Sequence, residues 1–259
     1  MILLRDLSPA AEEAWWTLFE LAEGGTDNWM VIGGQMVHLL AAEHGAAESV
    51  RPTQDADVVV NVRALQDGTE MVSAWLLERG FDLDGASPDG IGHRFVREAS
   101  GGPGRTVFDV LAPEGVGERA NLSTVRPFRT IEVPGSVQAF KRSSVVEVTV
   151  SGMSGRAPRS GAVRRPGLLG ALIMKAVNTQ IAGRVNSDRD WQDAALLLSL
   201  VLNPSDAAAA CGNTDRRRLR YLLPLRERDH IGWANLDDEA YRRGLATLEL
   251  SLETPMTRR

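Results

Sequence analysis

Lysine is nearly missing from this chain of 259 residues: of 29 basic residues only Lys141 and Lys175 are lysines. Arginine carries almost all of the positive charge, so a lysine at a structured position says more than usual. Cysteine is scarcer still. Cys211 stands alone, which excludes an internal disulfide and a zinc site built on cysteine; in its Ala-rich stretch it reads as a small semi-buried residue. No apolar run approaches the roughly 20 residues that a membrane span needs. The opening MILLRDLSPAAEE turns acidic too early for a signal peptide. These absences set the expectation of a cytoplasmic protein with no membrane partner. A net charge of −5 argues against a protein that coats nucleic acid without specificity, while leaving room for a local basic face. Neither GxGxxG nor GxxxxGKS/T is present, and His38 and His44 do not form HExxH. A dinucleotide fold, a P-loop and a histidine metal site of that type therefore lack support.

The pattern that is present mixes helices with short strands. Residues 8–24 predict a helix, with Ser8 as cap, Pro9 in the first turn and an apolar side of Trp15, Leu18, Phe19 and Leu21. Trp29 to Ile32 is a short buried strand candidate, followed by Gly33-Gly34 and a helical pattern to residue 43. A polar loop, 45–54, leads to Asp55-Ala-Asp57, and Val58 to Val60 continue as a strand. Residues 64–79 predict a helix that Gly80 stops. Further strands are predicted over 93–97, 106–111, 129–133 and 145–150. Residues 151–165 are rich in Gly, Ser and Arg without periodicity, and predict a linker or mobile loop. After Pro166 the pattern is helical, over 167–182, 188–202, 214–223 and 237–251. The expectation is an α+β domain over 1–155 and a mainly helical domain over 156–259 that completes a cleft.

Residues two apart on a strand share a face, so Asp55 and Asp57 project together. Side-by-side carboxylates repel and raise each other's pKa unless a cation neutralises them. Asp109 lies inside another apolar strand, Val107-Phe-Asp-Val-Leu111, where a charge is costly unless paired or metal-bound. If the two strands are neighbours, three carboxylates converge and can hold two metal ions about 3.5–4 Å apart. The competing reading makes Asp55 and Asp57 turn caps and leaves Asp109 exposed on an edge strand. Upstream, Gly33-Gly34 between a strand and a helix has the form of a phosphate cradle. A dehalogenase-type DxD follows its hydrophobic strand, whereas here the strand follows the DxD.

Taken together, Val31-Ile-Gly-Gly34, His44-Gly45, Thr53-Gln-Asp-Ala-Asp57 and Phe108-Asp-Val-Leu111 resemble the signature of the DNA polymerase beta-like nucleotidyltransferase superfamily. The second half resembles its AbiEii-like toxin subgroup. There a helical lysine precedes a basic–acidic segment, read here as Lys175, Arg184 and Arg189-Asp190-Trp-Gln-Asp193. The resemblance covers roughly residues 28–200 of the chain; the last stretch matches nothing in that pattern, which leaves the acceptor open.

The resemblance implies a nucleotidyltransferase-type mixed sheet with flanking helices, followed by a helical C-terminal domain. It implies transfer of a nucleoside monophosphate from an NTP to a hydroxyl of RNA or protein, possible as the toxin of a toxin–antitoxin pair with a protein antitoxin as partner. Mg2+ or Mn2+ would be held by Asp55, Asp57 and Asp109, with Lys175 completing the catalytic set. Gly33, Gly34, Thr53, Arg94, Lys175 and Asp190 become substrate-binding candidates. Lys175 shares a helical stripe with Leu168 and Leu172 and can alternatively reach out to solvent. Asp190 and Asp193 can pair with it, although capping of the 188–202 helix, with Ser187 as N-cap, is the preferred role for Asp190. Arg156, Arg159, Arg164 and Arg165, and separately Arg216, Arg217, Arg218 and Arg220, form basic clusters that can follow an RNA backbone or serve as a solvated surface. A small-molecule acceptor of aminoglycoside type and a non-catalytic nucleotide-binding module are the alternative functions.

Overall fold

The computed structural model describes residues 1–24, 28–50, 53–100, 103–153, 155–181 and 187–253, with Ser187 described by its backbone alone. Arg184 and the linking residues Arg51-Pro52 fall outside the described residues, as does the expected capping side chain of Ser187.

In chain order the elements are β1 (Ile2–Leu7), α1 (Pro9–Glu23), β2 (Trp29–Ile32), α2 (Gly33–Glu43), β3 (Asp55–Val60), α3 (Gly68–Glu78), β4 (Asp82–Leu83), β5 (Arg94–Glu98), β6 (Arg105–Pro113), β7 (Glu132–Val133), α4 (Ser136–Lys141), β8 (Ser143–Gly152) and β9 (Arg159–Pro166). Helices follow: α5 (Leu168–Asn178), α6 (Ser187–Ser199), α7 (Pro204–Ala210), α8 (Asn213–Leu219) and α9 (Asp238–Glu253).

One mixed sheet runs β2-β3-β6-β5-β4, with β7 added alongside β6. Its centre is the parallel pair β3–β6, in which Asp57 lies opposite Asp109. Alternation along these strands divides the core in two. Ala56, Val58, Phe108, Val110 and Phe95 point back, where they pack with Trp15, Leu18 and Phe19 of α1. Val59, Leu111 and Val133 point forward and pack with Met36 and Leu40 of α2, Leu172 and Ile173 of α5, and Leu197 of α6. The forward face is the one that carries Asp55, Asp57 and Asp109, so the carboxylates face the helical second half of the chain. Ser8 caps α1 by accepting from the Ala11 N–H at 3.3 Å, and Asn203 caps α7, a helix that hydrophobic periodicity does not predict.

A second sheet, β1-β8-β9, packs on α1. It overturns the expectation of a linker over 151–165: β9 pairs antiparallel with β8 along its whole length, from Ser143 opposite Pro166 to Val150 opposite Arg159. The physical reason is that partner strands supply what β9 lacks. Only Val163 gives it a large core residue, and Gly161 leaves room for a ring, since a Cβ there would stand 2.4 Å from Phe19 Cδ1. The helix expected over 214–223 divides into α8 and a 3-10 segment, Arg220–Arg226, around Pro224. Among the described residues no helix is long and apolar enough to cross a membrane.

Candidate active site

A cleft of about 440 Å³ opens between the forward face of the central sheet, the start of α2, and helices α5 and α6. Asp55, Asp57, Asp109, Arg94, Gly33, Gly34, Lys175 and Asp190 all line it. Thr53 does not; its hydroxyl packs against Gly34, where a Cβ would stand 2.8 Å from the Thr53 Oγ1. The Thr53 carbonyl accepts from Gln35 Nε2 at 3.4 Å, and Gln35 Oε1 accepts from Trp15 Nε1 at 2.9 Å. Thr53, two positions before the DxD, is thus tied through Gln35 to the core helix α1.

Asp57 is the most perturbed carboxyl of the cleft. Burial pushes its pKa up from 3.8 to about 7, and the Asp109 and Asp55 carboxylates add to the rise, while the Lys175 ammonium opposes it. Its side chain is half-buried to solvent yet crowded by protein, which is why desolvation leads. It lies across the first residue of α2. Gly33 has φ +66°, and a Cβ on it would stand 1.7 Å from Asp57 Oδ2. The glycine pair is therefore needed for close packing of Asp57 and Thr53 against the turn. The sequence alone suggests only the phosphate-facing role.

Asp109 is 5% exposed and is gripped by Arg94, its cross-strand partner on β5. Arg94 Nε donates to Asp109 Oδ1 at 2.9 Å and Arg94 Nη2 to Oδ2 at 2.8 Å. This bidentate bond drives the guanidinium pKa further above its usual value, against the effect of burial. Among the described residues, no three acidic, imidazole or thiol groups stand close enough together to hold one ion as they are arranged.

Lys175, 4% exposed on α5, does not extend to solvent. Its Nζ lies 2.7 Å from Asp193 Oδ2 and 3.3 Å from Asp190 Oδ1, both on α6. Asp190, for which capping is the preferred sequence reading, thus faces the lysine. Sequence reasoning missed His93 as a cleft residue. Its imidazole lines the pocket, its Nδ1 is buried without a hydrogen-bond partner, and burial holds its pKa below the usual value despite Asp109 nearby. Arg189, Asn178, Ile131 and Ile181 complete the outer wall. The only advance sign of His93 is its place beside Arg94.

The two basic clusters are largely committed within the fold. Arg159 pairs with Glu20 and Glu23, Arg165 with Glu43, and Arg218 with Glu114. Arg216 donates to the carbonyls of Cys211 and Ala208, and Arg156 to Ser100 Oγ while lying over the Trp16 ring. Arg217 and Arg220 are exposed.

No protein-family profile and no curated relative matches the chain. Among solved structures, it is similar to an antigenic nucleotidyltransferase-like protein from Paracoccidioides brasiliensis. The TM-score is 0.51 and the sequence identity 16%, over 85% of this chain and 90% of the other. The fold is therefore nucleotidyltransferase-like: a mixed α+β core with flanking helices and a helical C-terminal region.

Proposed function

We propose that the chain is a metal-dependent nucleotidyltransferase that moves a nucleoside monophosphate from an NTP to a hydroxyl acceptor. The observation that carries this reading is geometric: Asp55, Asp57 and Asp109 line one cleft, with Asp57 opposite Asp109 and packed against the helix-start turn at Gly33, a crowding that also raises the Asp57 pKa. A structural aspartate gains nothing from such crowding; a cation ligand does. The chemistry of the donor set suits a hard divalent cation, since the candidate ligand atoms are all carboxylate oxygens, but they are not gathered on one point while Arg94 holds Asp109. Asp55, Asp57 and Asp109 would hold Mg2+ or Mn2+, which when bound supplies neutralisation and polarisation of the reacting phosphate.

The rest is the work of the chain itself. The first N–H groups of α2 at Gly33-Gly34 orient phosphate oxygens, because a helix start carries partial positive charge. Lys175 offsets the anionic charge that develops on the phosphates, and Asp190 and Asp193 fix its ammonium in place.

The acceptor we put first is RNA or protein, in the setting of a toxin–antitoxin pair, with the AbiEii-like subgroup as the relevant kin. A second reading, a small cationic acceptor of aminoglycoside type, is favoured by one observation: the arginines that would follow an RNA backbone are mostly held by internal carboxylates and carbonyls. Incubation of the protein and Mg2+ with each of four α-labelled NTPs, beside total RNA, total protein or aminoglycosides, tests both. Label in one acceptor class selects between them, and no label in any, with no pyrophosphate released, refutes nucleotidyl transfer.

A further inference from the structure

Arg94 and Asp109 stand opposite each other on antiparallel neighbours, and both carboxylate oxygens of Asp109 are taken by one guanidinium at 2.9 and 2.8 Å. The two partners are unequal. The Asp109 side chain is 8% exposed and has no room to move, whereas the Arg94 side chain is 46% exposed and lines the open cleft. Lys175, a buried cation of the cleft, sits 2.7 Å from Asp193 on the opposite wall. Arg94 is thus the counter-charge of Asp109, and it covers the oxygens that a third metal ligand must present.

Resting on the nucleotidyl-transfer reading, we propose that Arg94 is an exchangeable counter-ion. It holds Asp109 in the nucleotide-free protein and leaves it when a divalent cation and nucleotide enter together, its guanidinium then pairing with the nucleotide's phosphates. Two cations cannot share the same two oxygens at low cost, and a phosphate offers the guanidinium an equivalent planar pair of acceptors. Displacement is therefore unfavourable for a metal ion alone and favourable for the metal ion with its nucleotide. The consequence is coupling: nucleotide tightens metal binding, and by reciprocity metal tightens nucleotide binding. Arg94 in this scheme has two successive partners, Asp109 and then the nucleotide's phosphates. It sets when Asp109 is available.

The test is Mn2+ binding, read as the free-ion signal in electron paramagnetic resonance, for wild type, Arg94→Gln, Arg94→Lys and Asp57→Asn. Each is titrated without nucleotide and with a non-hydrolysable NTP analogue. Without nucleotide, Arg94→Gln is expected to bind Mn2+ about tenfold more tightly than wild type, since one strong charge-assisted competitor is gone. With the analogue present, that advantage disappears. Arg94→Lys, which keeps the charge but cannot grip both oxygens, falls between, and it carries the comparison if circular dichroism shows Arg94→Gln to be unfolded. Equal or weaker Mn2+ binding by the folded Arg94 variants without nucleotide overturns the counter-ion role. An Mn2+ site that Asp57→Asn abolishes but the Arg94 variants leave untouched sinks this proposal and spares the catalytic reading. If no Mn2+ site in wild type is lost in Asp57→Asn, with or without analogue, both fall.

Discussion

Gly33 has no side chain in the place where the Asp57 carboxylate lies. A Cβ on Gly33 would stand 1.7 Å from Asp57 Oδ2 and 2.7 Å from its Cγ, at a backbone φ of +66°. The start of α2 and the central acid of the cleft are thus one packed unit. Gly33→Ala should cost about 1–3 kcal/mol for the strained backbone and further stability for the clash. In an Asp57→Gly background the clash vanishes, so the substitution should cost less there. Denaturant melts of the four members of this cycle measure the coupling. A cost for Gly33→Ala that is the same in both backgrounds would contradict the close packing.

The raised pKa of Asp57 gives a pH signature in the metal-free protein. Its folded value, about 7, exceeds the unfolded 3.8. The folded chain therefore keeps a proton that the unfolded chain gives up. Below pH 4 both forms are protonated and Asp57 carries no penalty; as pH rises to 7 the penalty grows, and above that it is constant. Asp57→Asn should leave the melting temperature little changed near pH 4 and raise it increasingly towards pH 8. A difference between the two proteins that does not vary with pH would show that Asp57 titrates normally.

Lys175 is buried with two carboxylates, so its removal does more than weaken nucleotide binding. Lys175→Met should destabilise the fold by about 3–5 kcal/mol, because Asp190 and Asp193 are left buried without their shared cation. Adding Asp190→Asn and Asp193→Asn should restore most of that loss. Nucleotide affinity, measured by calorimetry on the restored triple variant, should still be weak. Wild-type affinity in that variant would confine Lys175 to a structural role.

The carboxylate face was legible in advance because its signal is local. Asp55 and Asp57 are two apart before a Val run, and Asp109 is one charge among apolar residues, so alternation alone puts each on a face. That Asp57 lies opposite Asp109 depends on the β3–β6 register, which joins segments some fifty positions apart and leaves no local trace. The Arg94–Asp109 grip depends likewise on the β5–β6 register. β1 and β9 were illegible for a related reason. Each is stabilised by pairing with β8, and the Gly, Ser and Arg of β9 match a linker in composition. Gly161 in that strand makes room for Phe19, a reason no composition carries.

Whether Asp57 is a metal ligand is addressed most directly by one paired measurement. Wild type and Asp57→Ala are melted with and without Mg2+, beside an NTP-transfer assay. A bound metal ion stabilises several kcal/mol of transition-state charge, so transfer should fall by more than ~100-fold in a variant that loses it. Without Mg2+ the variant should melt at or above the wild-type temperature, since it relieves the repulsion with Asp55 and Asp109. Mg2+ should raise the melting temperature of the wild type and leave that of the variant unmoved. A variant that melts lower than wild type, with Mg2+ shifting neither protein, would contradict the central claim and make Asp57 a structural residue.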